Sequence, residues 1–144
     1  MRLAAPARNP VLLAVVLLDV ALSKSSLAQQ QPSIVGTWEW TRKANNCSEQ
    51  YVFRADGTVS IKSGDALSQH TYRMSWAAEP NGRYKLTMTS VKEAGARGCV
   101  DAAEAAASLQ RAYYVLFGGS RQTMLVCDSP AGADCIGPLK KAAE

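Results

Sequence analysis

The stretch QYVFRADGTVSIKS, residues 50–63, decides the fold. Tyr51 and Phe53 alternate with polar or smaller neighbours, Asp56 and Gly57 intervene, and Val59 and Ile61 alternate again. A period of two places one apolar row on one face of each strand, and the Asp-Gly pair marks the turn between them. Parity then selects the turn. A two-residue loop of Asp56 and Gly57 would set Phe53 opposite Ser60 and throw the apolar rows onto opposite faces, whereas a loop of Ala55, Asp56 and Gly57 sets Phe53 opposite Val59. The longer turn is therefore expected, with Gly57 in the left-handed position of a bulge, where a side chain would clash.

The same logic extends downstream. Tyr72, Met74 and Trp76 form one row, Tyr84, Leu86 and Met88 another, and Glu79, Pro80, Asn81 and Gly82 supply the turn. The rows share a face when Met74 lies opposite Leu86 and Trp76 opposite Tyr84. Arg54, Lys62, Arg73, Lys85 and Thr87 then point away from the apolar rows. Upstream, residues 34–42 carry Val35, Thr37, Trp38 and Trp40 and read as the first strand, followed by a polar loop over 43–49 around Asn45 and Asn46. Near the end, the run Tyr113, Tyr114, Val115, Leu116, Phe117 predicts a strand covered on both sides, then a turn at Gly118, Gly119 and Ser120 and a last strand over 122–127. Asp101, Glu104 and the alanines that follow predict one capped short helix near residues 101–110, lying over that strand. About seven consecutive strands without strand–helix alternation predict an all-β fold, an antiparallel up-and-down β-barrel or strongly curled sheet; closure would hide its edges.

The chain has 144 residues, and its first 28 or so have the order of a secretory signal: Arg2 and Arg8, the apolar run from Val11 to Leu22, then Ser23 to Ser26, Leu27 and Ala28. Cleavage is expected near Ala28. The apolar run is too short for a spanning helix and is interrupted by Asp19, so no membrane span is expected after cleavage. The expected organisation is a signal over 1–28, a linker over 29–33, a single β-rich domain over 34–137 and a basic tail over 138–144. Removing the leader lowers the formal charge from +4 to about +2, which leaves little for nucleic acid to recognise.

Four cysteines in an exported chain point to disulfides and to a periplasmic or secreted location. The turn-rich residues 128–134 can bring Cys127 to Cys135, which leaves Cys47 for Cys99; the role is structural. There is no Cys-x-x-Cys pair and His70 is the one histidine, so neither a metal site nor a cofactor is expected.

Catalytic groups are not legible. No Gly-x-Ser-x-Gly elbow frames a serine, and His70 reads as an exposed loop residue at the start of a strand. Glu39 and Glu49 could be drawn as a carboxylate pair, but both read as solvated surface acids. Gly118 and Gly119 join two strands and do not open a helix, so they form no phosphate loop. The chain is not expected to be an enzyme.

Gly36, Thr37 and Trp38 resemble the Gly-x-Trp opening of lipocalins, and Phe53, Asp56, Gly57 and Thr58 resemble the Phe-x-x-Asp-Gly-Thr hairpin of the small bacterial lipocalin-like domains. The resemblance implies an antiparallel barrel with Trp38 plugging one end beneath an arginine, for which Arg111 or Arg121 is available. From the residues themselves, the expected ligand-facing row is Trp40, Phe53, Ile61, Met74, Trp76 and Leu86, with room for at most a small apolar ligand. The alternative is an inhibitor or immunity protein that blocks a cell-envelope hydrolase through loops 45–49 and 128–134, a protein partner replacing the ligand.

Overall fold

The computed structural model describes residues 31–94, 98–99 and 110–143. The expected signal peptide and its cleavage point lie outside these residues. So does the expected helix, apart from Gln110, which belongs to a strand. Eight strands follow one another: β1 (Gly36–Arg42), β2 (Cys47–Phe53), β3 (Thr58–Ser63), β4 (Ala66–Met74), β5 (Tyr84–Ala94), β6 (Gln110–Phe117), β7 (Thr123–Cys127) and β8 (Cys135–Lys141). Each pairs antiparallel with the next, and β8 pairs with β1, so the sheet closes into an up-and-down barrel. Closure satisfies both edges of the sheet, and eight strands give an interior that side chains can fill.

The β2–β3 hairpin has the register that parity selects, with Phe53 opposite Val59. Arg54 N donates to Thr58 O at 2.8 Å, and Gly57 has φ of +82°. An L side chain at that φ costs about 1–2 kcal/mol, so Gly57→Ala should lose about that much in urea unfolding, with the slope of the transition unchanged.

The core consists of Ile34, Trp38, Phe53, Val59, Leu86, Met88, Val115, Met124 and Leu139. The segment before β1 closes the lower end: Ile34 is buried, its carbonyl accepts a hydrogen bond from Trp38 Nε1 at 2.8 Å, and Gln31 Nε2 donates to Ser75 O at 2.7 Å. The arginine expected over Trp38 is not the residue found there. The cation over the indole is Lys141, its Nζ 5.6 Å from the ring centroid, whereas Arg111 lies over Tyr113 and Arg121 lies in the β6–β7 turn. Trp38 and Lys141 face each other across the seam that closes the barrel. Gly36 has φ of +131°, and a Cβ there would stand 2.7 Å from Lys141 Cε, so the glycine leaves the path that the lysine stem follows.

Three further expectations are corrected. The strand count is eight, because residues 138–141 of the supposed tail belong to β8. Pro138 is accommodated beside Gly137 at a register shift in the β7–β8 pairing, where the hydrogen-bond ladder is already interrupted. Residues 47–49 are the start of β2, not loop. Trp76 is not in the interior: it lies outside the sheet and is 82% exposed. Met74 does pair with Leu86 and Ser75 N bonds Lys85 O, but Glu79 N next bonds Arg83 O, so three residues on one side of the hairpin face one on the other. The surplus bulges outward and carries Trp76 away from Tyr84, which β6 takes as partner through Val115.

The bridges are Cys47–Cys99 and Cys127–Cys135, as the spacing led us to expect, and no cysteine is free. Two disulfides fit an oxidising, extracytoplasmic compartment. Among the described residues, no helix is long and apolar enough to cross a membrane.

Candidate functional site

Cross-strand partners share a face, so the inward set can be followed from the buried Trp38 around the barrel. The lower interior is apolar and packed. Towards the other end the lining changes. Trp40 continues the Trp38 row and pairs with Glu49, and Glu49 pairs with Ser63. Tyr51 pairs with Trp38 on one side and Ile61 on the other, Ile61 pairs with Ser68, and His70 pairs with Val59 and Ser90. Tyr113 pairs with Leu86, and Arg111 with Met88. Among the described side chains, this upper interior therefore combines aromatic rings with hydroxyls, the Glu49 carboxylate and the His70 imidazole, and Arg42 and Arg111 stand at its rim.

Glu49 is its most deeply placed charge, only 7% exposed. Tyr51 Oη donates to Glu49 Oε2 at 2.6 Å, and Ser63 Oγ donates to Oε1 at 2.8 Å. The same Ser63 oxygen accepts from Cys99 N at 2.8 Å, and Asn45 Nδ2 donates to Cys99 O at 3.2 Å. A disulfide and hydrogen bonds thus fasten Cys99 to β2 and β3 at the upper end. Beside these bonds, the Arg42 guanidinium lies 5.6 Å from the Trp40 centroid, and its buried Nε has no hydrogen-bond partner among the described residues. His70 Nε2 shares a 2.9 Å hydrogen bond with Ser68 Oγ.

Burial, followed by the nearby Glu49 carboxylate, pushes the Tyr51 hydroxyl well above its ordinary value of 10.0. The sign follows directly. A folded-state pKa above the unfolded one gives stability that is complete below the unfolded value and lost as pH rises through the folded value. Wild-type protein should therefore lose stability above about pH 10, and Tyr51→Phe should flatten that decline while leaving the neutral-pH side of the curve level. Tyr72 and Tyr113 are also raised, chiefly by burial, so part of the slope should survive in the variant.

The expected ligand-facing residues separate into three groups. Phe53 and Leu86 are fully packed core, 3% and 1% exposed. Trp40, Ile61 and Met74 are partly buried and pack against that core. Trp76 stands outside. His70, expected in an exposed loop, lies within β4 and is half-buried, facing inward. Glu49, expected at the surface, faces inward, while Glu39 is exposed and accepts from Gln50 Nε2 at 3.0 Å, so the two form no carboxylate pair. The sequence signal for Glu49 was its odd-numbered place in the Tyr51 and Phe53 row, which becomes readable once β2 is extended back to Cys47.

The loops named for a protein partner are both engaged within the molecule. Asn45 binds Cys99, Asn81 Nδ2 donates to Pro130 O at 2.6 Å, and the Arg83 guanidinium packs against Gly132. The outer face of β6 is likewise met by the β4–β5 turn, where Gly82 lies against Leu116.

Comparison of the chain with protein-family models, with curated proteins and with solved structures gave no match.

Proposed function

We propose that this is an exported, non-catalytic, lipocalin-like protein that holds a small, largely apolar ligand in the upper half of its barrel, released into the periplasm or medium by cleavage near Ala28. One observation carries the reading. Trp40, Tyr51, Ile61 and Tyr113 point into the barrel yet stay only partly buried, unlike Trp38 below them. Inward-facing rings that are not fully packed leave apolar surface for a guest to cover. Glu49, Tyr51 and Ser63 offer hydrogen bonds to one polar group of that guest, while the packed base prevents passage through the barrel.

The fluorescent probe anilinonaphthalene sulfonate tests this. Saturable binding with one site per chain is expected, and Ile61→Trp, which fills the space beside Tyr51, should weaken it at least about tenfold, the loss of roughly 1.4 kcal/mol. Unchanged probe binding in a folded Ile61→Trp protein would place the probe elsewhere and remove the support for an interior site.

A further inference from the structure

The lower end of the barrel carries a feature that ligand binding in the upper half does not use. The bulge between β4 and β5 exposes Trp76, Ala77, Ala78 and Pro80 together. Its shape is held from both sides. Ser75 N donates to Lys85 O at 2.8 Å, Lys85 N donates to Ser75 Oγ at 3.0 Å, and Gln31 binds the Ser75 carbonyl. Further along, Glu79 N donates to Arg83 O at 2.7 Å. The indole is therefore 82% exposed because a fixed backbone presents it. At the same end of the barrel lies an open groove of about 360 Å³ lined in part by Pro32, Ile34, Val35 and Met74.

Charge decides the partner. Arg73 precedes the bulge by two positions, Lys85 is bonded to its base, and Arg54 lies at the adjoining end of β2; all three are exposed. The acids nearby are Glu79 on the bulge and Asp56 in the β2–β3 turn, where Asp56 is held by the Thr58 hydroxyl and amide. An indole flanked by small apolar residues and backed by cations suits the interface of an anionic bilayer, where the ring sits at headgroup depth and each nearby Lys or Arg adds attraction. A protruding tip of this size is small for a stable protein interface, which needs about 800 Å² per partner. A lipid surface makes no such demand.

We propose that the Trp76 bulge is a reversible docking site for anionic phospholipid, with Arg54, Arg73 and Lys85 against the headgroups and the upper end of the barrel turned away from the surface. The full, disulfide-bonded protein should co-sediment with vesicles containing phosphatidylglycerol and not with pure phosphatidylcholine vesicles, and binding should fall with added salt. Trp76→Ala should weaken it about tenfold or more, and Arg73→Gln and Lys85→Gln about fivefold each. Glu79→Gln, which removes the one acid of the bulge, should tighten it. All four side chains are exposed, so the variants keep the fold. No binding to anionic vesicles, binding indifferent to Trp76→Ala, or a protein partner that needs Trp76 while vesicles do not bind, would each overturn the proposal.

Discussion

Trp38→Ala is expected to cost about 3–5 kcal/mol of unfolding free energy, the range for deleting a large buried aromatic side chain. Three losses coincide there. The indole is fully buried among core residues, its Nε1 satisfies the Ile34 carbonyl, and its face supports the Lys141 ammonium across the β1–β8 seam. A domain of this size holds about 5–15 kcal/mol in total, so much of that margin would disappear. Urea unfolding monitored by circular dichroism should show the midpoint falling sharply. Trp38→Phe should recover most of the packing but leave the Ile34 carbonyl unpaired, and so fall between the two. A loss below about 1 kcal/mol for Trp38→Ala, the scale of an ordinary surface change, would mean that the lower end is not sealed as described.

The second large effect concerns the bridges, which should be unequal. Cys47–Cys99 closes a loop with a separation of 52 residues and Cys127–Cys135 one of 8. Loop-closure entropy then gives about 4 kcal/mol for the first and about 2.5 kcal/mol for the second. The paired substitution Cys47→Ala with Cys99→Ala should therefore be the more damaging. It also frees Cys99 from the tether that keeps its amide on Ser63, and through Ser63 it disturbs the buried Glu49 carboxylate. Cys127→Ala with Cys135→Ala should be milder, because Asn81 and Arg83 still hold the 128–134 loop in place. Thermal unfolding of the two double variants beside the oxidised parent measures the difference. Equal losses would show that the longer bridge acts on a folded state already constrained in that region.

Local sequence read well wherever period and turn chemistry acted together. The Phe53–Val59 pairing followed from parity alone, and Met74 opposite Leu86 from the same argument. What escaped depends on contacts between distant residues. Nothing local announces that β4 gains two extra residues after Met74, so Trp76 reads as the next member of its row although the bulge has already turned it out. Residues 138–144 read as a basic tail, and only the shifted register opposite Met124 and Val126 lets Gly137 and Pro138 lie within β8. Missing β8 also hid Lys141 as the cation over Trp38. The polar upper interior is hidden in the sequence for a related reason: the polar run over 43–49 reads as a loop, which makes Glu49 a surface acid, whereas β2 begins at Cys47 and turns that carboxylate onto Tyr51 and Ser63.

The division of the interior follows from these same residues. The packed base resists a guest, while the upper half pairs unfilled aromatic surface with hydrogen-bonding groups. The proposed ligand site in the upper half and the Trp76 bulge stand at opposite ends of the barrel, so their ligands should not compete.

The most direct measurement is a two-dimensional NMR titration of isotopically labelled protein with anilinonaphthalene sulfonate. Saturable shifts are expected at the Trp40 indole, the Ile61 methyls and the Tyr51 and Tyr113 amides, with the Trp38 indole and the Leu139 methyls unmoved. Shifts confined to Trp76 and the lower groove, or spread without saturation over the outer faces of the strands, would contradict it.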